Sequence, residues 1–221
     1  MRNSKLHCVI LTALSLLASI GCAPALIPMD KAEMDRLKGE PQIYVVVYQP
    51  ARFFYQIVGD AFAIGGPTDG LAQESRAARF VRTYSLADPV VKAKEAFIAG
   101  LAGQIEAGRL IQIQDILSDD SVENLRKRFG HGVVLDFKTE IWGLLPAPLS
   151  LLYQTPYAVR AKLVRLTDGQ VLWRGYCHHR GSDFRATWEE FTANSATLLK
   201  KKLSETAEAC GKELVSQFLG K

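Results

Sequence analysis

The sequence predicts an α+β domain with α/β-like layering: a mixed sheet of about five strands ending in an antiparallel meander, helices packed on that sheet, and one long C-terminal helix. Three observations carry this. Val133, Leu135 and Phe137 alternate with Val134, Asp136 and Lys138, and Glu140 extends the polar set, the period-two pattern of a half-buried strand. The runs 157–166 and 170–178 flank Thr167-Asp168-Gly169, and Asp-Gly between β-branched and aromatic residues is a hairpin signal because glycine accepts positive φ. Leu199, Leu203, Ala207, Cys210, Leu214 and Phe218 recur three or four residues apart, which puts them on one core-facing helical stripe.

Taken in order, residues 42–48 (QIYVVVY) form a nearly continuous β-branched and aromatic run ended by Pro50. Such a run reads as a strand buried on both faces and central in its sheet. Residues 52–58 are a further strand or pack under a loop. Residues 59–70 hold four glycines and a proline without the Gly-Lys-Ser/Thr ending of a phosphate loop, so they read as a surface connection. A helix over 71–84 would carry Arg76, Arg79 and Arg82 along one side, a solvated basic stripe or one that meets lipid phosphates. Asp88-Pro89 opens an amphipathic helix through Val90, Ala93, Phe97, Leu101 and Ile105, closed by Gly108. Residues 110–113 are a short strand. A second helix over 118–129 starts at Ser118 and ends at Gly130 and Gly132. Residues 143–155 form the loose connection inside the meander, and 187–193 make a turn or two before the long helix over 194–219.

The N-terminus reads as an address. Arg2 and Lys5 precede an apolar run over 9–20 that is shorter than a membrane span. Ser19-Ile20-Gly21-Cys22 resembles the lipobox of bacterial lipoproteins, although Ser19 stands where that motif usually has leucine. The resemblance implies cleavage before Cys22 and lipidation of its thiol; ordinary signal-peptide cleavage near Ala23 is the alternative. Ala23, which is not aspartate, implies by the same resemblance sorting to the outer membrane, facing the periplasm. The expected organisation is a signal peptide over 1–21, a lipidated tether over 22–40 and one domain over 41–221.

Without its first 21 residues the chain keeps 25 basic and 23 acidic side chains, a net charge of +2, which supplies no electrostatic footprint for nucleic acid. Cys8 leaves with the signal and Cys22 carries lipid, so Cys177 and Cys210 remain as an even pair in an oxidising compartment. Cys210 lies on the inward helical stripe and Cys177 shares a strand face with Trp173 and Gly175. The pattern favours a disulfide over two buried thiols, and the loop-entropy relation gives roughly 3–4 kcal/mol for it.

No complete catalytic constellation is present. His178 and His179 are neighbours on a strand and point to opposite faces, so with Asp183 they make a metal or hydrolytic site only at a frayed strand end. His131 is a lone loop histidine, and Ser182 and Ser195 lack the Gly-x-Ser-x-Gly context. Asp119-Asp120 suit a helix start. Glu189-Glu190 suit a helix surface, and Trp142, Trp173 and Trp188 suit core packing rather than a ligand pocket. No cofactor or metal is expected. The connection holding Leu144, Leu145, Leu149, Leu151, Leu152 and Tyr153 has five leucines and no charge. It either folds over the core or is an interaction loop for a partner, for self-association or for the bilayer.

The strand VRAKLVRLTDGQVLWRG, preceded by VVLDFKTEIW and followed by a long helix, resembles a recurring pattern in bacterial envelope lipoproteins, the group around the curli-secretion lipoprotein and the N-terminal domain of the Tol-system periplasmic β-propeller protein. The resemblance implies helices on a mixed sheet and a role as an assembly or scaffold part rather than an enzyme. Held to the membrane by its lipid, the chain is expected to work by contact; a periplasmic hydrolase or metal enzyme using His178, His179 and Asp183 is the alternative.

Overall fold

The computed structural model describes residues 25–57 and 70–221. The expected signal peptide, Cys22 and most of the glycine-rich stretch lie outside the described residues. Seven strands form the sheet: β1 (Ile43–Tyr48), β2 (Phe54–Tyr55), β3 (Leu110–Leu117), β4 (Val133–Pro146), β5 (Tyr153–Gln154), β6 (Tyr157–Arg165) and β7 (Val171–His179). Among the described residues five α-helices accompany them: α1 (Lys31–Gly39), α2 (Gly70–Thr83), α3 (Val90–Gly100), α4 (Val122–Phe129) and α5 (Trp188–Leu219). The main strand order is β3-β1-β4-β6-β7, with β2 and β5 paired to the far end of β4.

The run IYVVVY takes the central place its composition demands. β1 lies parallel to both β3 and β4, with Ile43 opposite Leu110 on one side and Val133 on the other. β4, β6 and β7 make the antiparallel meander; Val133 faces Arg165, Trp142 faces Tyr157 and Tyr157 faces His179. Alternation then divides the side chains between two sheet faces. One face carries Val45, Val47, Leu135, Phe137, Val159, Ala161, Leu163, Trp173 and Cys177, all buried under α3 and α5. At its centre Phe97 of α3 meets Phe137, Trp173 and Phe218 with ring centroids 5.4–5.6 Å apart. Full burial of such rings stabilises by about 1.5–3 kcal/mol each. Gly211 lets the two helices close: a Cβ there would stand 2.3 Å from the Ala93 carbonyl oxygen. The other sheet face carries a smaller cluster under α4, formed by Val46, Tyr48, Leu117, Leu125, Val134 and Leu166.

Several boundaries differ from the sequence expectation. α4 starts after Ser121, whose hydroxyl accepts the Asn124 N–H, and not after Ser118. α3 stops at Gly100, yet Leu101 and Ile105 stay buried in the turns that follow. β3 continues to Leu117. The expected loose connection is largely sheet: β4 runs on to Pro146, and β5 pairs Gln154 with Leu145 and Tyr153 with Pro146. α5 breaks where two helices were expected to join, with Ala193 extended and Asn194, Ser195 and Ala196 at positive φ. The segment expected as a tether docks on the domain. Ile27 exchanges two backbone hydrogen bonds with Arg174 of β7, and α1, capped by Asp30, buries Leu37.

Candidate functional site

The junction of β7 and α5 is built by two independent periodicities. Cys177 reaches the buried face of β7 by alternation, and Cys210 reaches it by the helical stripe. They form a disulfide with Cα atoms 5.4 Å apart, inside the usual bonding range. His179 Nε2 lies 3.5 Å from Glu213 Oε2. Cys177, His179 and Cys210 present donor atoms within 4.8 Å of one another, but both sulfurs are committed to the S–S bond and offer no thiolate to a metal. His178, exposed on the opposite side of the strand, and Asp183, exposed in the next loop, take no part in this grouping. Burial, then Arg180 and His179, hold the His178 pKa below its ordinary value. Trp142 and Trp173 are buried, and Trp142 donates its indole N–H to the Ala51 carbonyl at 2.7 Å.

The leucine-rich connection divides in two. Leu144 and Tyr153 are buried in the core and are not available to a partner. Leu145 and Leu152 are half-buried. Strand pairing pins the base, and Tyr153 exchanges backbone hydrogen bonds with Ala186. The tip is closed by the Ala147 N–H to the Leu152 carbonyl at 2.8 Å and by the Leu152 N–H to the Ser150 hydroxyl at 3.0 Å. Leu149, at positive φ, is 108% exposed and Leu151 is 77% exposed. Phe54, on the strand beside Gly143, is 49% exposed. A leucine in water forgoes about 1.5–3 kcal/mol of burial, and this braced turn leaves two of them, on either side of Ser150, exposed. Next to this end, Phe53, Tyr55, Ala77, Val81 and Trp142 line a cavity of about 510 Å³ between β2 and α2.

A second feature was not anticipated from sequence. On the α4 side of the sheet, Asp136 faces Lys162 across the β4–β6 ladder and Lys138 faces Arg160. Asp136 is fully buried. Arg160 approaches its carboxylate at 3.3 Å and Lys162 at 3.4 Å, and the Tyr48 hydroxyl donates to it at 3.4 Å. Asp120 comes down from the loop before α4 and accepts from Arg160 at 2.8 Å and Lys162 at 3.3 Å, with Lys138 at 3.8 Å; Glu140 meets the Arg160 Nε at 3.3 Å. Three cations and three carboxylates thus balance in one cluster. Burial pushes the Asp136 pKa up to about 6 against the pull of Arg160 and Lys162. Burial acts the same way on Asp120, but Lys162, Lys138 and Arg160 outweigh it and hold that pKa below the usual range. With every charge answered, the cluster reads as a structural lock between α4 and the sheet rather than a reaction centre.

Asp88 stands apart from this cluster. Its Oδ1 accepts from the Thr139 hydroxyl at 2.7 Å and the Val90 N–H at 3.1 Å, while its Oδ2 is buried without a partner among the described residues. Burial pushes its pKa up to about 6. A raised folded pKa means the folded state binds the extra proton between roughly pH 4 and 6, so this group's contribution to stability falls as pH rises through that window. Asp88→Asn is therefore expected to flatten the loss of unfolding free energy between pH 4 and 7, by up to about 3 kcal/mol at neutral pH. Urea titrations at both pH values check this; an unchanged slope refutes it.

No family model matches the chain, and no curated protein matches it. Among the described residues no helix is long and apolar enough to cross a membrane. Similar solved structures include a PelC dodecamer from Paraburkholderia phytofirmans, 14% identical over 81% of this chain and 88% of that one, with a TM-score of 0.34. A Xanthomonas campestris protein is 16% identical over 79% of this chain and 81% of its own, TM-score 0.37. A lipoprotein from Neisseria meningitidis is 14% identical over 76% of this chain and 97% of its own, TM-score 0.32.

Proposed function

We propose that the chain is a lipid-anchored envelope protein, held at the outer membrane through Cys22 and facing the periplasm, that serves as a non-enzymatic assembly or scaffold component. The observation that carries this reading is the braced apolar tip, where Leu149 and Leu151 stand in water on a turn that strand pairing and backbone hydrogen bonds hold in place. A rigid turn that spends two leucines on solvent is suited to contact, not to chemistry. The Cys177–Cys210 bond supports an oxidising compartment, and the lipobox-like Ser19-Ile20-Gly21-Cys22 supports anchoring.

Fractionation tests the anchor. Wild-type chain is expected in the membrane pellet with acyl groups on Cys22 by mass spectrometry, and Cys22→Ala is expected in the soluble periplasmic fraction. A mutant that stays in the pellet, together with an unmodified wild-type thiol, refutes it.

A further inference from the structure

β7 runs toward the sheet end where Trp142, Tyr157 and His179 lie side by side. The same end carries the tip, because β4 continues past Trp142 to Pro146 before turning. Ile27 pairs antiparallel to Arg174 in β7. Going backward from Ile27, the chain therefore heads toward the His179 end. Five residues separate Ile27 from Cys22, an extended reach of at most about 17 Å. From Arg174 to His179 is also five residues, about 17 Å of strand. Back from Ile27, the described chain heads for the end of the sheet that displays Leu149 and Leu151, and that end lies within the extended reach of a cysteine at position 22.

We infer that this end of the domain is its membrane-facing surface and that Leu149 and Leu151 insert into the bilayer beside the lipid anchor. The inference rests on the lipid-anchored reading above and names what the tip touches. The surroundings suit it. Phe54 is half-exposed on the neighbouring strand. The loop that joins β7 to the Tyr153–Ala186 bridge places exposed Arg180 and Arg185 within reach of lipid phosphates, with Asp183 between them and Glu189 and Glu190 following in the first turn of α5. A tip of uncharged residues with charged residues only behind it matches the order of a bilayer, acyl chains beneath headgroups. The Thr167-Asp168-Gly169 hairpin lies at the opposite end, next to Val133 and Arg165, and is polar and exposed.

The test uses the full mature lipoprotein in vesicles of phosphatidylethanolamine and phosphatidylglycerol, with an environment-sensitive fluorophore on Leu151→Cys or, as a control, on Thr167→Cys. The expected result is a blue shift at position 151 and loss of its emission when the vesicles carry spin-labelled acyl chains, with position 167 unaffected. A blue shift that lipid-borne quenchers do not touch marks a protein contact, such as a second copy, and overturns the inference. Emission at 151 as water-like as at 167, in protein that floats with the vesicles, also overturns it and leaves the anchor reading standing. Protein that does not float with the vesicles overturns both. A Leu149→Ser/Leu151→Ser variant separates contact from folding: it should keep the wild-type Tm, and a large fall in Tm would place the leucines in the core and overturn the inference.

Discussion

Replacing Arg160 with methionine is expected to destabilise the protein by about 3–5 kcal/mol, a fall in Tm of roughly 10 °C. Arg160 bridges three carboxylates: Asp120, Asp136 and Glu140. Asp120 and Glu140 reach solvent, but Asp136 does not, and its removal from water was already costly. Without the guanidinium, the buried carboxylate keeps only Lys162 and the Tyr48 hydroxyl as partners. The energetics are asymmetric, because breaking a buried pair costs far more than exchanging the whole group for apolar side chains of similar volume. The variant Asp136→Leu/Arg160→Met/Lys162→Met should therefore recover most of the loss. Urea denaturation of both proteins decides it. An Arg160→Met midpoint within about 1 kcal/mol of wild type would mean that water reaches Asp136 and that the cluster is an ordinary surface network.

Removing the disulfide with Cys177→Ala/Cys210→Ala should cost on the order of 2–5 kcal/mol. The bond joins the sheet to the last third of α5, so the helix should loosen before the meander does. Hydrogen exchange resolves the order. Amides after the break at Ala193–Ala196 are expected to lose protection ahead of those in β4 and β6. Uniform loss across both would show that the bond stabilises the domain only as a whole.

What was legible in the sequence followed from short-range periodicity. Alternation in β4, β6 and β7 and the stripe of α5 each assign a face, and the disulfide follows where the two faces meet. The same rule hid the charge cluster. Asp136, Lys138 and Glu140 occupy the polar set of an alternating strand, which on sequence alone is the solvent side. Burial comes from Asp120, held by a loop distant in sequence, and from the pairing of Asp136 with Lys162 and Lys138 with Arg160. Neither is visible without the tertiary register. The start of α4 was misplaced for a related reason. Ser118, Asp119, Asp120 and Ser121 are all competent caps, and Asp120 turns instead toward Arg160 and Lys162 while Ser121 caps. The extension of β4 was missed because leucines and prolines read as loop. Its pairing to two-residue strands leaves too little alternation to detect.

The central place of β1 also bears on the order of events in time. Early in the chain, this strand finds its two parallel partners only when residues 110–117 and 133–137 have arrived. Parallel contacts between distant segments form slowly, because a long loop must close before any pairing is gained. For the exported chain proposed above, that delay is useful: the polypeptide stays threadable while it crosses the inner membrane. It also leaves IYVVVY, a β-branched and aromatic run, unpaired until those residues arrive, an unprotected strand of the kind that aggregates.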